Sequence, residues 1–302
     1  MHSDSSIDMA MSSGSAANLV EPPADDFLIE LIICTRNGGD RLAKCLQSVS
    51  ACRGEHPFLV NIIDNGSNDN VSLQIARDFV ERFGQRARFS IESVPGNSAG
   101  RNKALRELKG TYAVFIDDDC YVDPEFINAW ERVLRTTDFG FGGGTILPYD
   151  KSQSLLGCWS APNSIVLAKN TFVKRGFIQG SNMFFSAACL RDIGLFDAHF
   201  GAGTDYAGEE WDMAIAASRR GWKSGYFVEP TVYHDHGRSQ TEAEMRMGFY
   251  DYGAGAVYAK HALRRDTRAV KSLIRELAAL PFRRKISIVS GFVAYISRSH
   301  LR

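Results

Sequence analysis

From residue 28 onward, four short apolar runs rich in β-branched and aromatic residues are each followed by a polar turn, with amphipathic stretches between them. Residues 28–35 (LIELIICT) read as a buried strand opening into Thr35-Arg36-Asn37-Gly38-Gly39; Leu42, Cys45, Leu46 and Val49 then recur at helical spacing. Residues 58–64 repeat the design, with Asp64-Asn65-Gly66-Ser67 as the turn and a helix over about 71–83. Residues 87–94 alternate as a third strand, which Pro95-Gly96-Asn97 breaks ahead of a helix over 98–108. Val114, Phe115 and Ile116 make the fourth, and it ends abruptly in three carboxylates, Asp117, Asp118 and Asp119, before a helix from Pro124. This succession predicts an α/β fold, a parallel sheet covered by helices on both faces.

The second half is less regular. Residues 139–147 form an apolar, Gly-rich strand, 148–176 show no clear period, and 177–186 read as a strand leading to a short helix that ends at Gly194. A Gly-rich loop then precedes the helix that opens Glu209-Glu210-Trp211-Asp212. Trp211, Ala214 and Ile215 are its expected core face, which leaves the acids exposed in the first turn. Residues 226–228 form a last strand, and 230–236 carry His234 and His236 to its C-terminal edge. Beyond residue 240 comes an aromatic, Gly-containing stretch and then two basic amphipathic helices separated near Pro281.

Ligands of open α/β sheets bind beyond the C-terminal ends of the strands. The polar groups there are Thr35, Arg36, Asn37, Asp64, Arg101, Asn102, Asp117 and Asp119. Strand alternation turns Asp117 and Asp119 to one side and Asp118 to the other, so a D-x-D pair can offer hard oxygen donors to Mg²⁺ or Mn²⁺; the same acids can also cap a loop. Asp64 can accept from the N–H of a nucleotide base or cap its own turn. Arg101 can pair with a phosphate or sit as a helix-surface cation. The acids from Glu209 to Asp212 can do catalysis or simply complement the helix dipole. No G-x-G-x-x-G follows the first strand and no phosphate-loop motif occurs, which argues against a dinucleotide fold and against a phosphate-loop enzyme.

Lys and Arg balance Asp and Glu at 35 each over 302 residues, and no nucleic-acid partner is expected. The charge is uneven, however: residues 1–30 hold six acids and no Lys or Arg, whereas 264–302 hold ten Lys or Arg against Asp266 and Glu276. Residues 1–26 read as a disordered leader without a signal peptide. Six scattered cysteines with no C-x-x-C pair fit a reduced cytoplasmic compartment. The longest apolar run, 286–296, is too short to span a membrane. Flanked by Arg283, Arg284, Lys285 and Arg298, it can lie at a membrane interface or pack as a buried terminal helix.

In order along the chain stand T-R-N at 35–37, I-D-N-G-S ending at Ser67, G-R-N at 100–102, D-D-D-C at 117–120, Q-G-S-N-M-F-F at 179–185, I-G-x-F-D at 193–197, G-E-E-x-D at 208–212 and H-x-H-G-R-S at 234–239. With these eight motifs the chain resembles the family-2 glycosyltransferases over residues 28–239. The resemblance implies a GT-A type, Rossmann-like, mostly parallel sheet flanked by helices over 27–239, with a basic helical C-terminal extension over 240–302. It implies an inverting enzyme that moves a hexosyl or deoxyhexosyl group from a nucleotide-diphosphate sugar donor to a hydroxyl of a glycan or lipid-linked acceptor, in bacterial polysaccharide or glycolipid assembly. The alternative is an inactive protein that binds a nucleotide sugar or glycan. Carried over by residue, Thr35, Arg36, Asn37, Asp64, Arg101 and Asp117 contact the nucleotide; Asp117, Asp119 and His234 hold Mn²⁺ or Mg²⁺, with His236 able to exchange with His234. Glu210 is the general base, standing where the family usually has Asp, and Glu209 is the second candidate. The expected location is the cytoplasm, with peripheral membrane contact through the C-terminal helices.

Overall fold

The computed structural model describes residues 27–136 and 138–299; the leader expected over 1–26 lies outside them. Among the described residues nine strands form a single sheet. Its first half is the expected parallel array. β1 (Ile29–Thr35), β2 (Leu59–Asp64), β3 (Ala87–Ile91) and β4 (Tyr112–Asp117) lie in the order β3-β2-β1-β4. The crossovers are α1 (Gly39–Ser50), α2 (Asn70–Phe83) and α3 (Asn97–Arg106). β1 is buried along almost its whole length rather than on alternate residues, because helices cover both faces. Its side chains divide between two cores: Leu31 and Ile33 pack with Leu42, Val114 and Trp130, whereas Ile32 packs with Phe115, Trp211 and Tyr258.

Beyond β4 the sheet becomes mixed. β8 (Met183–Ser186) runs antiparallel to β4 and to β6 (Phe139–Pro148), and β6 runs parallel to β9 (Lys223–His234). Two short strands, β5 (Cys120–Val122) and β7 (Ile165–Leu167), pair antiparallel with β9. The pieces expected at 226–228 and 230–236 are thus one strand, held together across a register shift against β6 where Glu229 and Pro230 fall; proline has no N–H for the ladder, so the irregularity sits where a strand tolerates it. Residues 177–182 were expected to be strand and are turns instead. There the N–H of Asn182 donates to the Gln179 carbonyl, and the Asn182 side chain donates to the carbonyls of Thr145 and Pro230.

The remaining helices are α4 (Phe126–Thr136), α5 (Ala187–Ile193), α6 (Glu209–Arg219), α7 (Gln240–Leu263), α8 (Thr267–Ala279) and α9 (Phe282–Ser299). α7 starts in a capping box formed by Ser239 and Glu242. It meets α9 backbone to backbone, for a Cβ on Gly255 would collide with the Ile288 carbonyl and one on Gly291 with the Tyr252 carbonyl. Ala254, Val257, Tyr258 and Ile288 belong to the same core cluster as Trp211 and Ile215. The segment from residue 240, expected as a helical, basic C-terminal extension, is helical and contributes to this core cluster.

Candidate active site

The parallel register places Thr35 beside Asp64 and Cys34 beside Asp117, so three polar strand ends share one rim. The Thr35 hydroxyl donates to Asp118 at 2.5 Å. Gly38 passes so close that a Cβ would lie 2.6 Å from the same carboxylate. Asn37, at φ 55°, ties the first loop to the second: its N–H donates to the Ser67 hydroxyl, and its Oδ1 accepts from the Asn68 N–H. Asp64 is buried, and its Oδ1 accepts from the Ser67 N–H at 2.9 Å. Its Oδ2 is also buried but has no hydrogen-bond partner among the described residues. Arg36 is exposed on the rim.

Asp117, Asp119, Cys120 and His234 each bring a donor atom within 4.8 Å of the others. Asp118 turns away to Thr35, as strand alternation predicts. Burial pushes the Asp118 carboxyl up to about 7 against the opposing Thr35 hydrogen bond. Burial likewise raises Asp117, with Arg101 opposing it. At Asp119 burial is outweighed by His234, 3.3 Å away, which holds the carboxyl below its usual range, and the same contact raises His234 against its own burial. Two carboxylates and an imidazole converging on one point suit a hard divalent cation. Cys120 stands at the same point, but burial and the neighbouring carboxylates push its thiol well above its usual pKa. Asp117, Asp119 and His234 are the hard donors of this group and could hold such an ion, with the Cys120 sulfur beside them. His236 is committed elsewhere: Nε2 lies 2.7 Å from the Ser154 carbonyl, and Nδ1 accepts from the Arg238 N–H.

Arg101 lines a cavity beside Asp117. It is buried, donates to Glu209 at 2.8 Å and reaches Asp117 at 3.4 Å, with the rings of Phe115 and Phe196 beside it. Only glycine fits opposite, since a Cβ on Gly180 would sit 2.5 Å from the guanidinium. Of the two settings expected for this side chain, a helix-surface cation is excluded by its burial, and the guanidinium joins two carboxylates.

The first turn of α6 also departs from expectation, because Glu209 and Asp212 are buried. Asp212 accepts from Lys260 Nζ at 2.6 Å and lies 2.9 Å from His261 Nε2, and Lys260 also donates to Asp197 at 2.8 Å. Against its burial, the Lys260 ammonium and the hydrogen bond to His261 hold Asp212 well below the usual carboxylate range. Glu210 makes no ion pair among the described residues. Burial, and next the Glu209 carboxylate, push its carboxyl well above the usual range.

Asp117, Asp119, Glu209, Glu210, His234 and Arg238 all line one cavity of about 890 Å³. A second cavity of about 690 Å³ adjoins it and shares Leu155, Leu156, Met247 and Arg284 with it. Sequence reasoning missed Lys260 and His261, which lie 48 and 49 positions from the Asp212 they hold. No local pattern marks them.

A family model described as "Glycosyltransferase like family 2" matches residues 24–248. The glycosyltransferase GlyA of Streptococcus pneumoniae is 24% identical over 130 residues, 43% of this chain and 18% of that protein. An N-acetylglucosaminyltransferase of Azorhizobium caulinodans is 20% identical over 211 residues, covering 66% of this chain and 52% of its own length. A poly(ribitol-phosphate) beta-glucosyltransferase of Bacillus spizizenii is 25% identical over 185 residues, 59% and 28% respectively. The chain thus spans between 18% and 52% of the length of these curated relatives. Among solved structures, the mannosyltransferase PcManGT from Pyrobaculum calidifontis in complex with GDP-Man and Mn²⁺ superposes with a TM-score of 0.58 at 15% identity, over 91% of this chain and 80% of that one. TarS 1-349 of S. aureus in complex with UDP gives 0.54 at 16% identity, over 76% and 65%.

Proposed function

This chain belongs to glycosyltransferase-like family 2 and has the GT-A fold, and from that premise we propose that it is a metal-dependent, inverting transferase using a nucleotide-diphosphate sugar. The single observation that carries the reading is that the Glu210 carboxyl, without an ion pair among the described residues, faces the same cavity as the Asp117, Asp119 and His234 cluster. Thr35, Arg36 and Asp64 receive the base. The unpartnered Oδ2 of Asp64 supports this, because a buried acceptor without a donor is costly and a base N–H would satisfy it. Asp117, Asp119 and His234 hold Mn²⁺ or Mg²⁺, which when bound neutralises the departing diphosphate as a Lewis acid.

The protein's own groups then do the rest. Glu210 takes the proton of the acceptor hydroxyl while that oxygen attacks the anomeric carbon opposite the leaving group. The bond from that carbon to the phosphate oxygen breaks as the new C–O bond forms, and the centre inverts. Arg101 holds Glu209 in an ion pair, which leaves Glu210 as the acid of the two that is not tied to a cation. We assign the transferred group to the hexosyl or deoxyhexosyl class and the setting to bacterial polysaccharide or glycolipid assembly, in line with the kinds of enzyme it resembles. All six cysteines are free, which supports a cytoplasmic setting.

Glu210→Gln is expected to lower turnover by about 10²–10⁴-fold, the usual contribution of a general base. Calorimetric binding of nucleoside diphosphate with Mn²⁺ should be unchanged. Full turnover in Glu210→Gln together with its loss in Glu209→Gln would move the base to Glu209. A wild-type protein that binds donor but never hydrolyses or transfers it would be a binding protein.

A further inference from the structure

α9 has two unlike sides. Ile288 and Gly291 are buried, whereas Phe282, Ile286, Val289 and Val293 are 76%, 50%, 47% and 55% exposed. At about 100° per residue these four fall on one stripe roughly 60° wide, away from the side that packs on α7. α8 adds Val270 and Ile274, also exposed. An apolar stripe of this kind on a monomer marks a docking surface.

The charges around it have one sign. Arg264, Arg265, Lys271, Arg275, Arg283 and Lys285 make no ion pair among the described residues. The two acids of the segment are engaged, Asp266 by Arg268 and Glu276 by Arg175 and Tyr258. A second copy meeting this face across a two-fold axis would set cations against cations. A surface of anionic lipid answers both features, taking the apolar side chains into the acyl boundary and the cations onto the headgroups. No helix among the described residues is long and apolar enough to cross a membrane, so α9 lies along the surface.

We propose that α8 and α9 dock this protein onto an anionic bilayer, with the stripe from Phe282 to Val293 inserted. The position of the second cavity gives the docking a use. Arg283, Arg284 and Ser287, from the first turns of α9, form part of its wall, and it adjoins the cavity that holds Glu210, sharing Leu155, Leu156 and Met247 with it. The first turns of α9 therefore carry the inserted stripe on one side and a wall of this cavity on another. A lipid-linked acceptor held in the bilayer reaches around those turns with its hydroxyl end. This last step rests on the transferase reading above; the docking does not.

The test is flotation of the purified protein with vesicles of phosphatidylcholine alone and with phosphatidylglycerol added, together with sedimentation in their absence. The protein is expected to float with the anionic vesicles only, and to be released by high salt. Phe282→Asp/Ile286→Asp and, separately, Lys271→Glu/Arg275→Glu/Lys285→Glu should each cut bound protein by at least about tenfold, as loss of an inserted stripe or of its headgroup contacts requires. All five positions lie at the surface or half-buried, and an unchanged thermal transition confirms that the variants fold. Flotation with neither vesicle, equal flotation with both, or binding that survives both variants overturns the proposal. So does a dimer that Phe282→Asp/Ile286→Asp dissolves, because the stripe would then belong to a second copy. Nucleotide binding measured on Phe282→Asp/Ile286→Asp separates the two readings: it should persist there even if vesicle binding is lost.

Discussion

Arg101 joins carboxylates that reach it from Asp117, 16 positions along the chain, and from Glu209, 108 positions away. On the proposed assignment of Glu210 as the base, that pairing is what distinguishes the two acids of α6. Glu209 is compensated, while Glu210 is left in a buried setting beside a negative charge, and both conditions favour its protonated form. A base acts only when deprotonated, so turnover should fall as pH drops through this raised value. The acid limb of the pH–kcat profile is expected above the ordinary Glu value of 4.5. In Glu209→Gln the repelling charge is gone and Arg101 is released toward Glu210, so the limb should move to lower pH. A limb that stays in place would show that Glu209 does not set it. At this scale the sequence was a good guide wherever the signal was local. Thr35, Asp64, Asp117 and Asp119 follow apolar runs in polar turns, and all stand at strand ends. It was a poor guide to partners: nothing near Arg101 announces Glu209, and nothing near Asp212 announces Lys260.

Among the elements, α7 has the most unusual packing. Gly255 and Gly291 let it approach α9 with no side chain between the backbones, while Lys260 and His261 tie its far end to Asp212 on α6. Gly255→Val should force the two helices apart. Overpacking of this kind costs about 1–3 kcal/mol, and more where backbone has to move; the loss is read as a lower midpoint in urea unfolding. The long, strongly periodic elements were legible in the sequence, α1 by the spacing of its buried face and α2 to within a residue of its bounds. β5 and β7 were not, because three residues carry no period. β9 was read as two pieces because Pro230 looks like a terminus until a neighbouring strand accommodates it.

At the level of the whole molecule, the parallel half of the sheet followed from its repeated strand, turn and helix. The mixed half did not, since antiparallel pairing with β8 and β9 joins segments far apart in sequence. Residues 240–302 were read as a helical, basic extension from their change of composition; composition does not show which of their side chains pack, and Val257, Tyr258 and Ile288 share a core cluster with Trp211. A chain ending after residue 263 should therefore lose its cooperative thermal transition and aggregate, because it uncovers the α7 face that α9 buries. A truncated protein that unfolds cooperatively at the full-length temperature would show the terminal helices to be dispensable.

The 24 residues of α7 span about 36 Å at 1.5 Å per residue, from the Ser239 cap just past His234 to Lys260 beneath the helix that carries Glu210. Both ends are fixed by what they brace. Its middle turns hold Asp251 in ion pairs with Arg175 and Arg284 and present Arg246, Met247 and Phe249 to the cavity. Descendants of this protein can thus explore new acceptors by exchanging a few side chains on one helical face while the donor machinery is inherited unchanged, which makes that face the natural target for a mutagenic library.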